Sequence, residues 1–257
     1  MKNWKVLFAI TFVLILFNAC NNDDGPMIID PPPPPPPMEE KDPDVLDLPA
    51  AGLELYINFN ENVDDQSGNG HHGIINGGEY VEDRDTAEEG AFKMELGDFI
   101  TLPNDTELGF GSNNPYTMGA FIKYQRDPSV TGRIHVMSKF DGGVSAGWYL
   151  AVSQDNQLQA YRNVEPWSMR TAAVLQEDTY YHIMSSFDGT KLRLYIDGVE
   201  SAVMDWGTHP NDMQTPTLIG AIHSGGEIFP SFVGEIDDVF IYNRALTQAE
   251  IDNIIED

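Results

Sequence analysis

The chain has 257 residues and a formal net charge of −27, with 41 acidic side chains against 14 basic ones. That balance argues against nucleic acid as a partner, because phosphate binding rests on clustered Lys and Arg. After a non-globular start about two hundred residues remain, which suits a single domain that owns a core without needing disulfides or a metal.

The N-terminal fifty residues read as delivery apparatus. Met1-Lys-Asn-Trp-Lys5 is a short positive start, and Val6 to Phe17 is an apolar run too short to span a bilayer but suited to a secretory signal. It ends in Phe17-Asn18-Ala19-Cys20, which resembles a bacterial lipoprotein signal, with Phe17 where such signals prefer Leu. Cys20 is the only cysteine, so it forms no internal disulfide and is expected to carry the lipid. Asn21-Asn-Asp-Asp-Gly25 follows, similar to the surface-export signal of some Gram-negative lipoproteins, and then seven prolines from Pro31 to Pro37. A polyproline II rod rises ~3.1 Å per residue, so this run is a spacer of roughly 20 Å. The expected organisation is a signal peptide over 1–19, a disordered acidic and Pro-rich spacer over 20–48, and a β-sandwich domain over 49–257. The expected place is the outer membrane, with attachment through lipidated Cys20 and exposure at the cell surface.

From Leu53 onward, short alternating segments dominate. Leu53, Leu55, Ile57 and Phe59 share one face of an opening strand, and a turn-rich, oxygen-rich loop from Asn60 to Gly73 follows. Further strands are predicted around Gly73–Ile75, Ala91–Leu96, Phe99–Pro103, Tyr116–Tyr124, Ile134–Lys139, Gly147–Ser153 and Gln157–Tyr161. Tyr180 to Val203 holds three β-rich runs separated by Asp188-Gly189 and Asp197-Gly198, a meander signal because Asp-Gly accepts positive φ at low cost. Thr217–Ala221 and Gly234–Tyr242 complete the series. Many short strands with Gly-rich turns predict an all-β fold, an antiparallel two-sheet β-sandwich or jelly roll. The single convincing helix is C-terminal: Thr247 and Glu250 form a capping box, Leu246 and Ile251 a hydrophobic staple.

Four pieces together resemble the laminin-G-like, concanavalin A-like lectin and glucanase superfamily. They are Leu55–Asn60 with Asp65–Gly73; Tyr116–Ile122; Tyr181–Gly198; and Gly234–Leu246 with its Thr-Gln-Ala-Glu-Ile tail. The resemblance spans nearly all of residues 50 to 257 and implies the concanavalin A-like sandwich. It also implies one structural calcium, with Asp65 and Asp237 as side-chain ligands, Asp238 next, and Asn69 contributing backbone or amide oxygen. A Gly-rich loop with two or three carboxylates can supply the six to eight oxygens calcium takes. Asp65, Ser67 and Asn69 can equally make Asx and ST turns that hold the loop. His71-His72 makes no zinc site, since adjacent strand residues point to opposite faces.

Such folds host lectins, enzymes and passive spacers alike. Glu235-Ile-Asp237 imitates the start of a glucanase catalytic strand, but Val239 and Phe240 stand where the second carboxylate belongs, and a retaining glycosidase needs both. Catalysis is therefore not expected. Sugar binding calls for aromatic faces beside polar groups, and two stretches qualify: Arg162–Arg170, with Arg162, Asn163 and Trp167, and Asp205–Asn211, with Trp206. Trp148 belongs to a core strand. The expected partner is a polysaccharide or glycoconjugate, bound without cleavage; the rivals are a passive adhesion or spacer domain contacting protein and, behind it, a glycoside hydrolase.

Overall fold

The structure, a computed structural model, describes residues 46–86, 89–102, 107–111, 113–142, 146–162, 167–207 and 214–256, apart from the side chains of Glu107, Ala146 and Arg162. Cys20 and the signal and spacer segments lie outside these residues. In chain order the strands are β1 (Leu53–Ile57), β2 (Ile74–Asn76), β3 (Glu79–Val81), β4 (Ala91–Met94), β5 (Phe99–Leu102), β6 (Tyr116–Tyr124), β7 (Ile134–Asp141), β8 (Ala146–Val152) and β9 (Gln157–Arg162). They continue with β10 (Ser168–Val174), β11 (Tyr180–Phe187), β12 (Lys191–Ile196), β13 (Val199–Asp205), β14 (Thr217–Ile219), β15 (Ala221–Ser224), β16 (Glu227–Pro230) and β17 (Gly234–Tyr242), and the helix α1 (Gln248–Glu256) closes the chain.

Two antiparallel sheets result, as the alternation predicts. The first has the order β13-β12-β11-β6-β17-β4-β3, with β1 also paired to β17; the second runs β10-β9-β8-β7-β14-β5-β2, with the β15–β16 hairpin beside β7. Between them lies the main core. On β6, Met118, Ala120 and Ile122 point inward, and on β8 Trp148, Leu150 and Val152 meet them. Each buried large side chain is worth about 1.5–3 kcal/mol, so this alternation is the main source of stability. Trp148 is fully buried, with its indole N–H donating to the Leu108 carbonyl at 2.9 Å. In the meander, Asp197 and Gly198 both take positive φ (48° and 73°) between the paired residues Ile196 and Val199, the geometry a two-residue Asp-Gly hairpin requires.

A bulge breaks the period of β17. The register shifts between Asp237 and Phe240, and Asp238 adopts a φ of 48°. One extra residue lets both Ile236 and Val239 face the core while Asp237 and Phe240 face outward. Phe240 then joins Tyr56, Met184, Tyr195 and Tyr242 in a second core, closed by Leu46 and by Leu246, Ile251 and Ile254 of the helix region. The outer side of the first sheet is therefore roofed. The capping box forms as expected: Glu250 accepts from the Thr247 N–H at 2.8 Å, and the Glu250 N–H donates to the Thr247 hydroxyl at 3.4 Å.

Strands β3, β10, β15 and β16 were not legible. Ser168–Val174 shows why: its inward positions hold Met169 and Thr171, only one of them a large hydrophobe, and pairing with β9 rather than apolar alternation makes it a strand.

Candidate functional site

Two of the residues expected to ligate calcium, Asp65 and Asp238, meet different ends of one residue, Tyr56 of β1. Its backbone N–H donates to Asp65 Oδ1 at 3.1 Å, whereas its hydroxyl donates to Asp238 Oδ1 at 2.7 Å and accepts from the Leu46 N–H at 3.1 Å. Asp65 also accepts from the backbone N–H groups of Ser67 (2.9 Å) and His71 (3.0 Å). Against the effect of its burial, these donors and the Ser67 hydroxyl hold the Asp65 carboxyl below the usual range. Asn69 turns its amide inward, donating to the carbonyls of Leu53 and Glu54. The loop is thus held by Asx and ST turns, the alternative reading of the same residues.

Asp237 and Asp238 face a cation supplied by the chain. Arg84 Nη1 donates to Asp237 Oδ2 at 2.5 Å and to Asp238 Oδ2 at 2.9 Å, and the guanidinium lies 3.8 Å above the Phe121 ring. Burial pushes both carboxyls up, Asp237 further because Asp238 lies beside it, while Arg84 pulls both back. Among the described residues no group of three or more His, Cys, Asp or Glu is arranged to hold a metal. The four expected ligands do not fit a single calcium site: the three carboxylates are engaged by N–H, O–H and guanidinium donors, with Asp65 and Asp238 held by different atoms of Tyr56, and Asn69 spends its amide nitrogen on backbone carbonyls.

The glucanase-like strand has its side chains engaged as well. Glu235 is taken up by the Tyr180 hydroxyl (2.6 Å) and Lys123 (2.7 Å), Val239 lies in the main core, and Phe240 lies under the helix.

The expected sugar-contacting residues separate. Trp206 is only 4% exposed and belongs to the main core, so its ring is not a platform; its edge borders a shallow hollow of about 400 Å³ with Asn113, Gly189 and Thr190. Polar neighbours in sequence misled here, because Asp205 is the last residue of β13 and Trp206 turns inward after it. Trp167 is 47% exposed at the start of β10. Arg162 ends β9, opposite Trp148, and Asn163 lies outside the described residues.

Trp167 precedes β10, and the strands that β10 joins carry an aromatic cluster that the sequence did not reveal. Across the outer side of the second sheet, Ser138, Tyr149, Tyr161 and Ser168 form one rung on β7, β8, β9 and β10. The next rung is His135, Ala151, Gln159 and Arg170. Tyr149 and Tyr161 stack at 5.0 Å with planes 12° apart, and Phe140 meets both edge-on at 5.8 and 5.1 Å. Phe140 stands opposite Gly147, where φ is 107° and a Cβ would collide with the Lys139 carbonyl, so the rung leaves room for the ring. The β15–β16 hairpin crosses one flank, where the outward Ser138 hydroxyl donates to the Ala221 carbonyl and Ser231 meets His135. The result is an aromatic cluster on the outer side of the sheet in which Tyr149 and Gln159 are buried, Phe140 and Tyr161 are half-buried, and Ser168 and Arg170 stand on the β10 edge.

These features define a class: an antiparallel two-sheet jelly-roll sandwich with one roofed face and one aromatic face. The chain belongs to the concanavalin A-like lectin/glucanases superfamily, through a laminin G family whose pattern matches residues 95–252. No curated protein compared with the chain matches it. Among solved structures it is similar to the binding domain of Paraclostridial Mosquitocidal Protein 1 (TM-score 0.65, 15% identity), over 80% of this chain and 52% of that one. It thus spans about half the length of that protein. It is similar too to domain 4 of AbnA, a GH43 extracellular arabinanase from Geobacillus stearothermophilus, solved with arabinotriose (TM-score 0.61, 20% identity, 79% of this chain and 98% of that one). A third is the CBM40 of the Ruminococcus gnavus IT-sialidase, bound to α2,3 sialyllactose (TM-score 0.53, 13% identity, 64% and 96%). At these identities the likeness is one of fold.

Both buried clusters can be probed by stability. Arg84→Met leaves two buried carboxylates without their cation and is expected to cost about 3–5 kcal/mol in urea unfolding, with partial recovery at lower pH as the acids protonate; millimolar calcium or a chelator should leave the parent's melting temperature unchanged. His182 is buried between Phe121 and Phe240, and burial, then Arg84, pushes its pKa down to about 3. The unfolded ring protonates near pH 6.5, so its stabilising contribution is complete above that value and is lost toward pH 3, by about 1.4 kcal/mol per unit. His182→Phe should flatten the acid limb of stability between pH 7 and 4.5; an identical limb would show that this ring does not set it.

Proposed function

We propose that this protein is a non-catalytic carbohydrate-binding domain held at the outer-membrane surface by lipidated Cys20, with residues 20–48 as spacer and the sandwich from residue 49 as the binding unit. The sugar-contacting surface is the outer face of the second sheet. The observation that carries this reading is the half-buried Tyr161 ring, stacked on buried Tyr149 and edged by half-buried Phe140 on the outer side of the second sheet, with exposed Trp167 just before the neighbouring strand β10. Pyranose rings present apolar C–H faces that pack on aromatic rings, while hydroxyls meet polar groups such as Ser168 and Arg170 around the rim. Two sandwiches of similar fold, matched over nearly their whole length, were solved with oligosaccharides, which supports the same use of this one. The absence of a second carboxylate at Val239 and Phe240 supports binding without cleavage.

On an array of plant, host and bacterial glycans the purified, folded protein is expected to give saturable binding to at least one oligosaccharide. Tyr161→Ala and Trp167→Ala should each weaken it tenfold or more, equivalent to about 1.4 kcal/mol. A blank array would overturn the reading in favour of a protein-contacting or spacer role, and release of reducing sugar would overturn the non-catalytic part. Labelled palmitate should be incorporated in bacteria producing the parent and not in those producing Cys20→Ser; equal labelling would remove the proposed anchor.

A further inference from the structure

Basic side chains are scarce, and among the described residues most have their charge met. Lys93, Lys123, Arg170, Lys191, Arg193 and Arg244 each pair with a carboxylate, as Arg84 does. Arg126 is spent on the carbonyls of Gly132 and Ser153 and on Asn156 Oδ1.

Arg133 differs. It is exposed, precedes β7, and has no carboxylate within ion-pair distance among the described residues. Its Nε donates to Gln159 Oε1 at 3.1 Å, and its guanidinium carbon lies 5.7 Å from the centre of the Tyr149 ring. A guanidinium can only donate, so fully buried Gln159 must present its oxygen, and its Nε2 is then left without a partner among the described residues. A buried amide and an aromatic ring thus hold the base of the guanidinium, while both terminal nitrogens make no bond to the described residues. That is a preorganised fork of the geometry that receives a carboxylate through two parallel hydrogen bonds. Arg133 and Tyr161 share the same neighbour, Tyr149. The fork thus belongs to the same aromatic cluster as Tyr161, the ring on which the sugar is proposed to pack.

We propose that the glycan bound on this face carries a carboxylate, as a hexuronic or a nonulosonic acid sugar, and that Arg133 selects for it. The inference rests on the glycan-binding reading and adds its chemical class. The net charge of −27 narrows it further. Screening over about 8 Å at physiological ionic strength leaves a close ion pair intact, while an extended polyanion meets the acidic surface around the site. The preferred ligand is a single acidic sugar on an otherwise neutral chain.

Titration calorimetry of the purified full chain would use lactose, 3′-sialyllactose, a glucuronic-acid-terminated trisaccharide, the methyl ester of that trisaccharide, and polygalacturonate. At least one of the two single-acid probes should bind tenfold or more tighter than its neutral counterpart, and which one does so distinguishes the two acid sources; polygalacturonate should bind more weakly. Arg133→Gln, with its melting temperature matched to the parent, should bring the acid-to-neutral ratio to about one. Equal affinity for acid and neutral forms would overturn the carboxylate inference and leave glycan binding standing, as would an Arg133→Gln variant that keeps the parent's ratio or one that weakens both forms equally. Tighter binding of polygalacturonate would overturn the single-acid preference, and no binding to any probe would overturn both readings.

Discussion

Two carboxylates and one guanidinium, buried together on the outer side of the first sheet, impose the constraint around which this fold is arranged. Asp237 and Asp238 cannot both be ionised out of water without a cation, and Arg84 supplies it from the segment after β3. The bulge that brings the two acids to one side also corrects the phase of β17, so the residues on either side of it still meet the core. Tyr56 carries the same network to β1 and to the first described residue, Leu46. Charge compensation, strand register and closure of the second core are therefore one problem with one solution.

The sandwich itself was legible in the sequence because burial on one face dictates the alternation in β6, β12 and β17, and a period of two is the mark a half-buried strand leaves. The Asp-Gly meander and the Thr247–Glu250 box were legible because their chemistry is local. The candidate site was not. Phe140, Tyr149 and Tyr161 are each a single outward ring on a different strand, and only the pairing of β7, β8 and β9 puts them together. Trp167 and Trp206 look alike in sequence, both flanked by polar residues, yet one is exposed and the other is core. Of the acids assigned to calcium, Asp65 is held by donors close by in sequence, whereas the cation that meets Asp237 and Asp238 lies far away: Arg84 is 153 residues from Asp237.

The two outer faces of the sandwich have opposite fates. The first is covered by α1 and residues near Leu46, whose apolar side chains pack on Met184, Tyr195 and Phe240. The second keeps Phe140 and Tyr161 half-buried beside the buried Tyr149 ring, flanked by a hairpin and by the β10 edge. The surface proposed for binding is therefore the one that the helix leaves uncovered.

The hydrogen bond from the Leu46 N–H to the Tyr56 hydroxyl, and from that hydroxyl to Asp238, also has a mechanical meaning. Tension applied to the chain at residue 46 reaches the bulge of β17, a strand held by β6 on one side and by β1 and β4 on the other. Load entering there falls on an interior strand and on a cluster of opposite charges, so the sandwich resists being peeled from an edge. Under pulling, the Leu46–Tyr56 and Tyr56–Asp238 hydrogen bonds come first in the line of force, and the Arg84 clamp holds Asp238 behind them.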